Sequence, residues 1–275
     1  MSATGGLLAG RRGLVMGVAN DKSIAWGIAR AAAQQGAELA FTYQNDSFAR
    51  RVKPLAESVG SDLVIPCDVS DDADLDRAFT TLRESWDTLD FVVHAIAYSD
   101  KSELKGRYVD TTRQNFRHTL SISAYSFTGV AQRAAPMMRP GGSLLTLSYL
   151  GAERVTPNYN VMGVAKAALE ASVRYMAADL GPHGIRVNAI SAGPMRTLAG
   201  SAIADARYTF RWSAEQAPLH RHTRLGEVGD SGLYLLSDLS QGVTGEVLHV
   251  DCGYHVIGMP HPNRVNTKIE GNGSR

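Results

Sequence analysis

Cysteine is nearly absent from this sequence: Cys67 and Cys252 are its only two, far apart and outside any Cys-x-x-Cys pattern. That scarcity leaves a disulfide framework without support, and two reduced, mostly buried thiols are expected instead. Excess charge is lacking too. Lysine and arginine total 28 against 27 acidic residues, a net +1 that offers no field for gathering nucleic acid or holding a membrane surface. No stretch reaches the roughly 20 apolar residues a spanning helix needs. Met1 to Gly10 has neither the basic start nor the apolar core of a secretory signal. The expectation is a cytoplasmic protein with no nucleic-acid and no membrane partner. No repeat of solenoid period and no low-complexity linker divides the chain, so a single domain, 1–275, is expected.

What the sequence has is alternation. Short apolar, β-branched runs at 13–18, 38–43, 62–67, 89–96, 143–148, 186–190 and 246–250 read as strands. Between them, helical periodicity covers 24–35, 46–59, 71–86, 110–138, 159–180 and 228–237. The long fourth helix is expected to stop at Pro140-Gly141-Gly142, and 191–224 reads as irregular. Strand–helix alternation implies parallel strands joined by right-handed crossovers, which place helices on both faces. A Rossmann-like, doubly wound α/β fold with a seven-stranded parallel sheet follows. The polar tail 260–275 reads as disordered or as lying on a neighbouring subunit.

Ligands of such sheets sit beyond the carboxyl ends of the strands, where strand order reverses. The first strand runs into Gly17-Val18-Ala19-Asn20-Asp21-Lys22-Ser23-Ile24-Ala25-Trp26-Gly27, a small-residue turn opening a helix. Backbone N–H groups and the helix dipole there favour a pyrophosphate. Gly17 permits close backbone approach, Ser23 is placed to donate to a phosphate oxygen, and Gly27 is expected to pack the helix on the strand. The turn is not Gly-x-Gly-x-x-Gly, and its signal comes from standing first in an alternating chain. After the second strand, Thr42-Tyr43-Gln44-Asn45-Asp46 offers no arginine or lysine for a 2′-phosphate until Arg50 and Arg51. Gln44 suits a free 2′-hydroxyl, which favours NADH over NADPH. Asp68, in Cys67-Asp68-Val69, is placed either to accept from an adenine amino group or to cap the next helix.

Tyr159 and Lys166 lie seven residues apart on one helix. Nearly two turns place them on a shared face, roughly 10 Å apart along the axis. An ammonium near a phenol favours phenolate and lowers its pKa, which suits acid catalysis. On spacing alone, a packing tyrosine and a solvated lysine are the slightly better reading.

These segments together resemble the short-chain dehydrogenase/reductase superfamily and, within it, the bacterial NADH-dependent enoyl-acyl-carrier-protein reductases. The likeness rests on the Gly17–Gly27 turn with Ser23-Ile24, on Gln44, on Cys67-Asp68-Val69, and on Tyr149, Tyr159 and Lys166. It extends to the run from Arg186 through Gly193-Pro194-Met195-Arg196-Thr197-Leu198-Ala199, and spans about residues 8 to 258. Ordinary ketone-reducing members carry Tyr-x3-Lys, which here would need tyrosine at the position of Met162. Tyr-x6-Lys with a second tyrosine ten residues earlier is the enoyl reductase spacing.

The resemblance implies a reaction. Hydride from NADH reaches the β-carbon of a trans-2-enoyl thioester on acyl carrier protein, in the last step of fatty acid elongation. The enolate oxygen is stabilised by Tyr159 and the nicotinamide ribose. It implies catalytic roles for Tyr149, Tyr159 and Lys166, with Lys166 also anchoring the ribose. Gly17, Ser23, Ile24, Gln44, Asp68, Val69, Ile96, Met195, Arg196, Thr197, Leu198 and Ala199 would bind cofactor. Ser99, Tyr149 and Tyr159 would meet substrate. Residues 197–211 resemble a substrate-covering lid, Arg207 and Arg211 are candidates for the acidic carrier protein, and a homotetramer is the assembly implied. The role of Ser148 is left open. His220-Arg221-His222 has no third ligand nearby and no metal is expected; His94 reads as a satisfied core histidine. Two rivals stand beside this reading: an ordinary ketone reductase, and a catalytically silent NADH-sensing module.

Overall fold

The computed structural model describes residues 6–198, 200 and 205–259. Seven strands form one sheet: β1 (Arg12–Met16), β2 (Glu38–Tyr43), β3 (Val64–Pro66), β4 (Leu89–His94), β5 (Met138–Ser148), β6 (Arg186–Ala192) and β7 (Val247–Val250). Their order is β3-β2-β1-β4-β5-β6-β7, and every pairing is parallel. Strand order therefore reverses between β1 and β4, which fixes the ligand crevice at their carboxyl ends.

Both faces are covered. Helices α1 (Ile24–Gln34), α2 (Asp46–Ser58) and α8 (Leu225–Leu236) pack on one side, and α3 (Asp72–Ser85), α5 (Ser126–Ala134) and α6 (Asn160–Leu180) on the other. The period of two along the strands sorts the core: Leu14, Met16 and Val92 face the α3/α5/α6 layer, while Val15, Phe91 and Val93 face α1/α2/α8. A fully buried side chain of this kind contributes roughly 1.5–3 kcal/mol, and Phe41, Phe79, Phe91 and Phe127 are the largest. Among the described residues, no helix is long and apolar enough to cross a membrane. Cys67 is buried and Cys252 partly so, both free; burial pushes the Cys67 thiol up to about 12.

Three sequence expectations need correction. The helix expected over 110–138 is broken. A short turn at Tyr108–Asp110 precedes α4 (Arg113–Leu120), a π-turn spans Ser121–Tyr125, and α5 follows before a tight turn ends at Met137. The π-turn inserts one extra residue, and Ser123 uses the displacement: its hydroxyl accepts from Tyr98 N–H at 2.9 Å and donates to Tyr98 carbonyl at 3.0 Å. Pro140-Gly141-Gly142 is not a helix stop but an irregularity within β5, whose pairing with β4 jumps from Leu89↔Met138 to Phe91↔Ser143. Within the stretch read as irregular lies α7 (Ala206–Gln216), whose only buried residues are Ser213 and Gln216.

Candidate active site

At the nucleotide end, β1 finishes at Met16 because Gly17 takes φ +94°, and a Cβ there would lie 2.1 Å from the Ala95 carbonyl oxygen. Only glycine lets the chain after β1 press this closely on the chain after β4. Ser23 precedes α1 and leaves the helix uncapped by any side chain; its hydroxyl oxygen instead accepts from Ala19 N–H at 2.9 Å and Asn20 N–H at 3.1 Å. Those two loop N–H groups are therefore spent inside the turn. With its lone pairs engaged, Ser23 keeps its own hydrogen to donate outward, and Ile24 opens the free first turn of α1.

Gly27 does something other than expected. Its side faces α8, not the strand: a Cβ would meet Leu225 at 2.8 Å. Gly229 and Gly232 of α8 face back, with added Cβ atoms 2.7 Å from the Gly27 carbonyl oxygen and 2.8 Å from Ile28. Close α1–α8 packing, not helix–strand packing, is what that glycine serves.

At the adenosine end, Gln44 Nε2 donates to Asp68 Oδ2 at 3.0 Å, joining the ends of β2 and β3. Asp68 Oδ1 accepts from the Ser70 N–H and hydroxyl at 2.9 and 2.7 Å. Burial pushes the Asp68 carboxyl upward, yet these bonds and Gln44 outweigh it and hold it below its ordinary value. The capping role falls to Asp71, which accepts from Ala73 N–H. Val69 packs partly buried against the α3-side core, as does Ile96 beyond β4. Ser99 is buried, with its hydroxyl accepting from Thr119 Oγ1 at 2.9 Å and Asn115 Nδ2 at 3.2 Å.

Beyond β5, Tyr149 and Tyr159 meet edge to face, ring centroids 5.0 Å apart at 73°. Local backbone makes this meeting possible. Tyr159 stands just before α6, between Asn158 and Asn160, which adopt φ of 59° and 37°. Asn160 Nδ2 anchors the turn by donating to the carbonyls of Leu104 at 3.2 Å and Gly106 at 3.3 Å. The ring of Tyr159 lies on Gly151, where a Cβ would sit 2.4 Å from Cδ1; Gly163, one helical turn on, fits the Gly151 carbonyl equally tightly.

Tyr159 is buried, but its hydroxyl has no hydrogen-bond partner among the described residues and is not sealed from solvent. Burial, then Tyr149 and Glu170, hold its phenol well above the ordinary tyrosine value. Tyr149 is pushed up to about 12 by burial, against a hydrogen bond with Thr156. Lys166, also buried, donates from Nζ to the Leu147 carbonyl at 2.6 Å. Burial lowers it to about 8, with Glu170 pulling the other way. The expected depression of the phenol by Lys166 is thus not found. The ammonium turns to β5, and Tyr159 is a neutral hydrogen-bond donor near neutral pH.

After β6, Met195 packs on the α1-side core and Thr197 N–H donates to the Met195 carbonyl at 2.8 Å. Arg196 lies over the Phe210 ring at 4.8 Å, and that ring stacks on His222 at 3.6 Å. Leu198 is exposed. Ala199 and residues 201–204 of the expected lid lie outside the described residues, as does the tail 260–275. His94 is fully buried between Thr146 Oγ1 and Ser126 Oγ, and burial drives it down to about 3, so it is a neutral core histidine.

Sequence reasoning missed Gly151, Gly163 and Glu170. The signal was present: Gly163 and Glu170 stand four residues beyond Tyr159 and Lys166, the spacing that returns to the same helix face.

A parallel sheet of this order, a glycine turn at its switch point, and a tyrosine at the start of the helix after β5 with a lysine within it mark the short-chain dehydrogenase/reductase class. A family model described as enoyl-(acyl carrier protein) reductase matches residues 17–255. A curated relative, enoyl-[acyl-carrier-protein] reductase [NADH] 1 of Rhizobium meliloti, is 61% identical over 259 residues, 94% of this chain and 95% of that protein. Among solved structures, an enoyl-(acyl-carrier-protein) reductase from Anaplasma phagocytophilum in complex with NAD is 61% identical, with TM-score 0.90 over 94% of this chain and 98% of that one. The Bacillus cereus enoyl-acyl carrier protein reductase, solved with NADP+ and an indole naphthyridinone, is 52% identical with TM-score 0.90, covering 92% of this chain and all of that one. The chain belongs to the enoyl-(acyl-carrier-protein) reductase family.

Proposed function

We propose that this protein reduces trans-2-enoyl thioesters of acyl carrier protein to saturated acyl thioesters with NADH, the last step of the fatty acid elongation cycle. One observation carries the reading most directly. Tyr159 is a buried phenol braced by Tyr149 whose hydroxyl has no hydrogen-bond partner among the described residues, which leaves it available to a ligand. A preorganised neutral donor is what a developing enolate oxygen requires. The relatives' names supply the substrate class and the cofactor.

The residues present suit a dinucleotide. Lys166 spends one of its three N–H groups on the Leu147 carbonyl and has two left for ribose hydroxyls. Ser23 and the uncapped start of α1 suit the pyrophosphate, and the Gln44–Asp68 pair suits the adenosine. When bound, NADH supplies the hydride. Tyr159 donates to the thioester oxygen as charge gathers there, Tyr149 fixes the plane of its ring, and Lys166 orients the ribose beside it. Ile96 and the segment Met195 to Ala199 border the nicotinamide half in this reading, Val69 lies with Asp68 at the adenosine half, and Ser99 lies at the acyl side.

The whole chain acts here as one reductase domain. Residues 197–211 serve as cover, a reading supported by the Arg196–Phe210–His222 stack and by Trp212, whose indole bonds Tyr254. Arg207 and Arg211 face solvent toward the carrier protein. The setting is a cytoplasmic homotetramer; Tyr125 of α5's approach and Tyr175 of α6, 52% and 76% exposed, support contacts along those helices. The test is NADH oxidation with crotonyl and acetoacetyl thioesters in parallel. Turnover of the crotonyl thioester is expected; preference for acetoacetyl would move the protein to the ketone reductases, and tight NADH binding without turnover would make it a sensor.

A further inference from the structure

Lys166 and Glu170 are one helical turn apart on α6, and both are buried, 6% and 7% exposed. The end of β5 holds them with consecutive residues. Leu147 offers its carbonyl to Lys166 Nζ at 2.6 Å, and the buried Ser148 hydroxyl bonds the Glu170 carboxylate. A carboxylate in such a place is costly unless something nearby needs its charge, and an apolar side chain would fill the same space more cheaply. From this arrangement we propose that Glu170 is a positioning residue for the reduction, keeping Lys166 charged in the crevice through a carboxylate fixed by Ser148. The inference rests on the reading of Lys166 as the ribose-holding group.

The surroundings of both groups decide the sign. Burial is what pulls the Lys166 ammonium down, and Glu170 is the neighbour that raises it again. Across the helix, fully buried His94 stays neutral and adds no charge. Around Glu170 the net direction is upward: burial raises the carboxyl most, the Ser148 bond opposes it, Glu153 raises it, and His249 and Arg174 lower it. His249 is itself tied to Glu153, Nε2 to Oε1 at 2.8 Å. Ser148 thus acts on Lys166 at second hand. Its hydrogen bond favours the ionised carboxylate, and the ionised carboxylate favours the ammonium.

The test titrates Lys166 directly in the full chain, by NMR of lysine labelled with carbon-13 at the ε position, the resonance assigned by its loss in Lys166→Met. Glu170→Gln is expected to lower the Lys166 pKa by about one unit, the effect of losing one nearby opposite charge. The alkaline limb of the kcat/KM profile should move down with it. Ser148→Ala should shift both in the same direction by less, and it serves alone if Glu170→Gln fails to fold. Glu170→Asp should restore part of the shift. An unchanged Lys166 titration in the folded variants overturns the proposal and leaves Ser148–Glu170 a packing contact. Failure of the underlying reading is seen separately, as NADH binding that survives Lys166→Met unchanged.

Discussion

Replacing Tyr159 by phenylalanine separates catalysis from architecture more cleanly than any other single change in this site. The ring stays, with its edge-to-face contact to Tyr149 at 5.0 Å and its seat on Gly151. Only the hydroxyl leaves, and it has no hydrogen-bond partner among the described residues. No buried acceptor is orphaned, so the folded state should change by less than about 0.5 kcal/mol, as for substitutions that disturb no special feature. Turnover should respond very differently. Loss of one preorganised donor to an oxyanion costs about 2.7–4 kcal/mol in the transition state, or roughly 10²–10³ in kcat. The assay pairs single-turnover NADH oxidation, under conditions where chemistry limits, with urea unfolding and NADH titration of the same preparation. Near-wild-type turnover would refute the oxyanion role. A stability loss above about 1.5 kcal/mol would refute the premise that the hydroxyl is unengaged.

Lys166→Met should weaken NADH binding and also alter how stability depends on pH. The wild-type ammonium titrates at about 8 in the fold against an ordinary 10.5, so below pH 8 the folded state carries the full burden of a buried charge. That burden lifts as pH rises toward 10.5, and wild type should gain on the order of 3 kcal/mol relative to Lys166→Met across this interval; parallel unfolding curves that stay equidistant would contradict it. In α8, Gly229→Ala should destabilise by about 1–3 kcal/mol through the clash with the Gly27 carbonyl, measured as a lower Tm. Gly226→Ala, where nothing lies within 4 Å, should instead stabilise by about 0.5 kcal/mol, and equal effects at the two positions would rule out the packing explanation.

Local pattern revealed the central strands because they are buried on both faces and rich in apolar residues, as Phe91-Val92-Val93 of β4 and Leu144-Leu145 of β5 are. The Tyr/Lys pair was legible in part: Lys166 sits inside α6 as read, whereas Tyr159 stands just before it, held by Asn158 and Asn160 at positive φ, which helical spacing does not foresee. What escaped was set by distant partners. The π-turn at Ser121–Tyr125 follows from Ser123 meeting Tyr98 and Ser126 meeting His94, contacts invisible to helical periodicity. Helix α7 buries only the polar Ser213 and Gln216, so no buried apolar row announces it; the Tyr208–Trp212 stack and the bond between Trp212 and Tyr254 accompany it. Gly27 was misread because its partner, Gly229, lies some two hundred residues downstream. The depression of the Tyr159 phenol by Lys166 was expected from proximity, but a backbone carbonyl one strand away claimed the ammonium.

The glycine seam between α1 and α8 bears on how the chain is made. During synthesis, the helix that begins the nucleotide turn emerges early, but the surface it must lie against is encoded after residue 224. Until then its smooth flank faces water, and the cofactor's cradle stays half-built while most of the sheet is already strung together. A nascent chain released before α8 would carry every residue assigned here to chemistry and still be unable to close its first helix onto the rest.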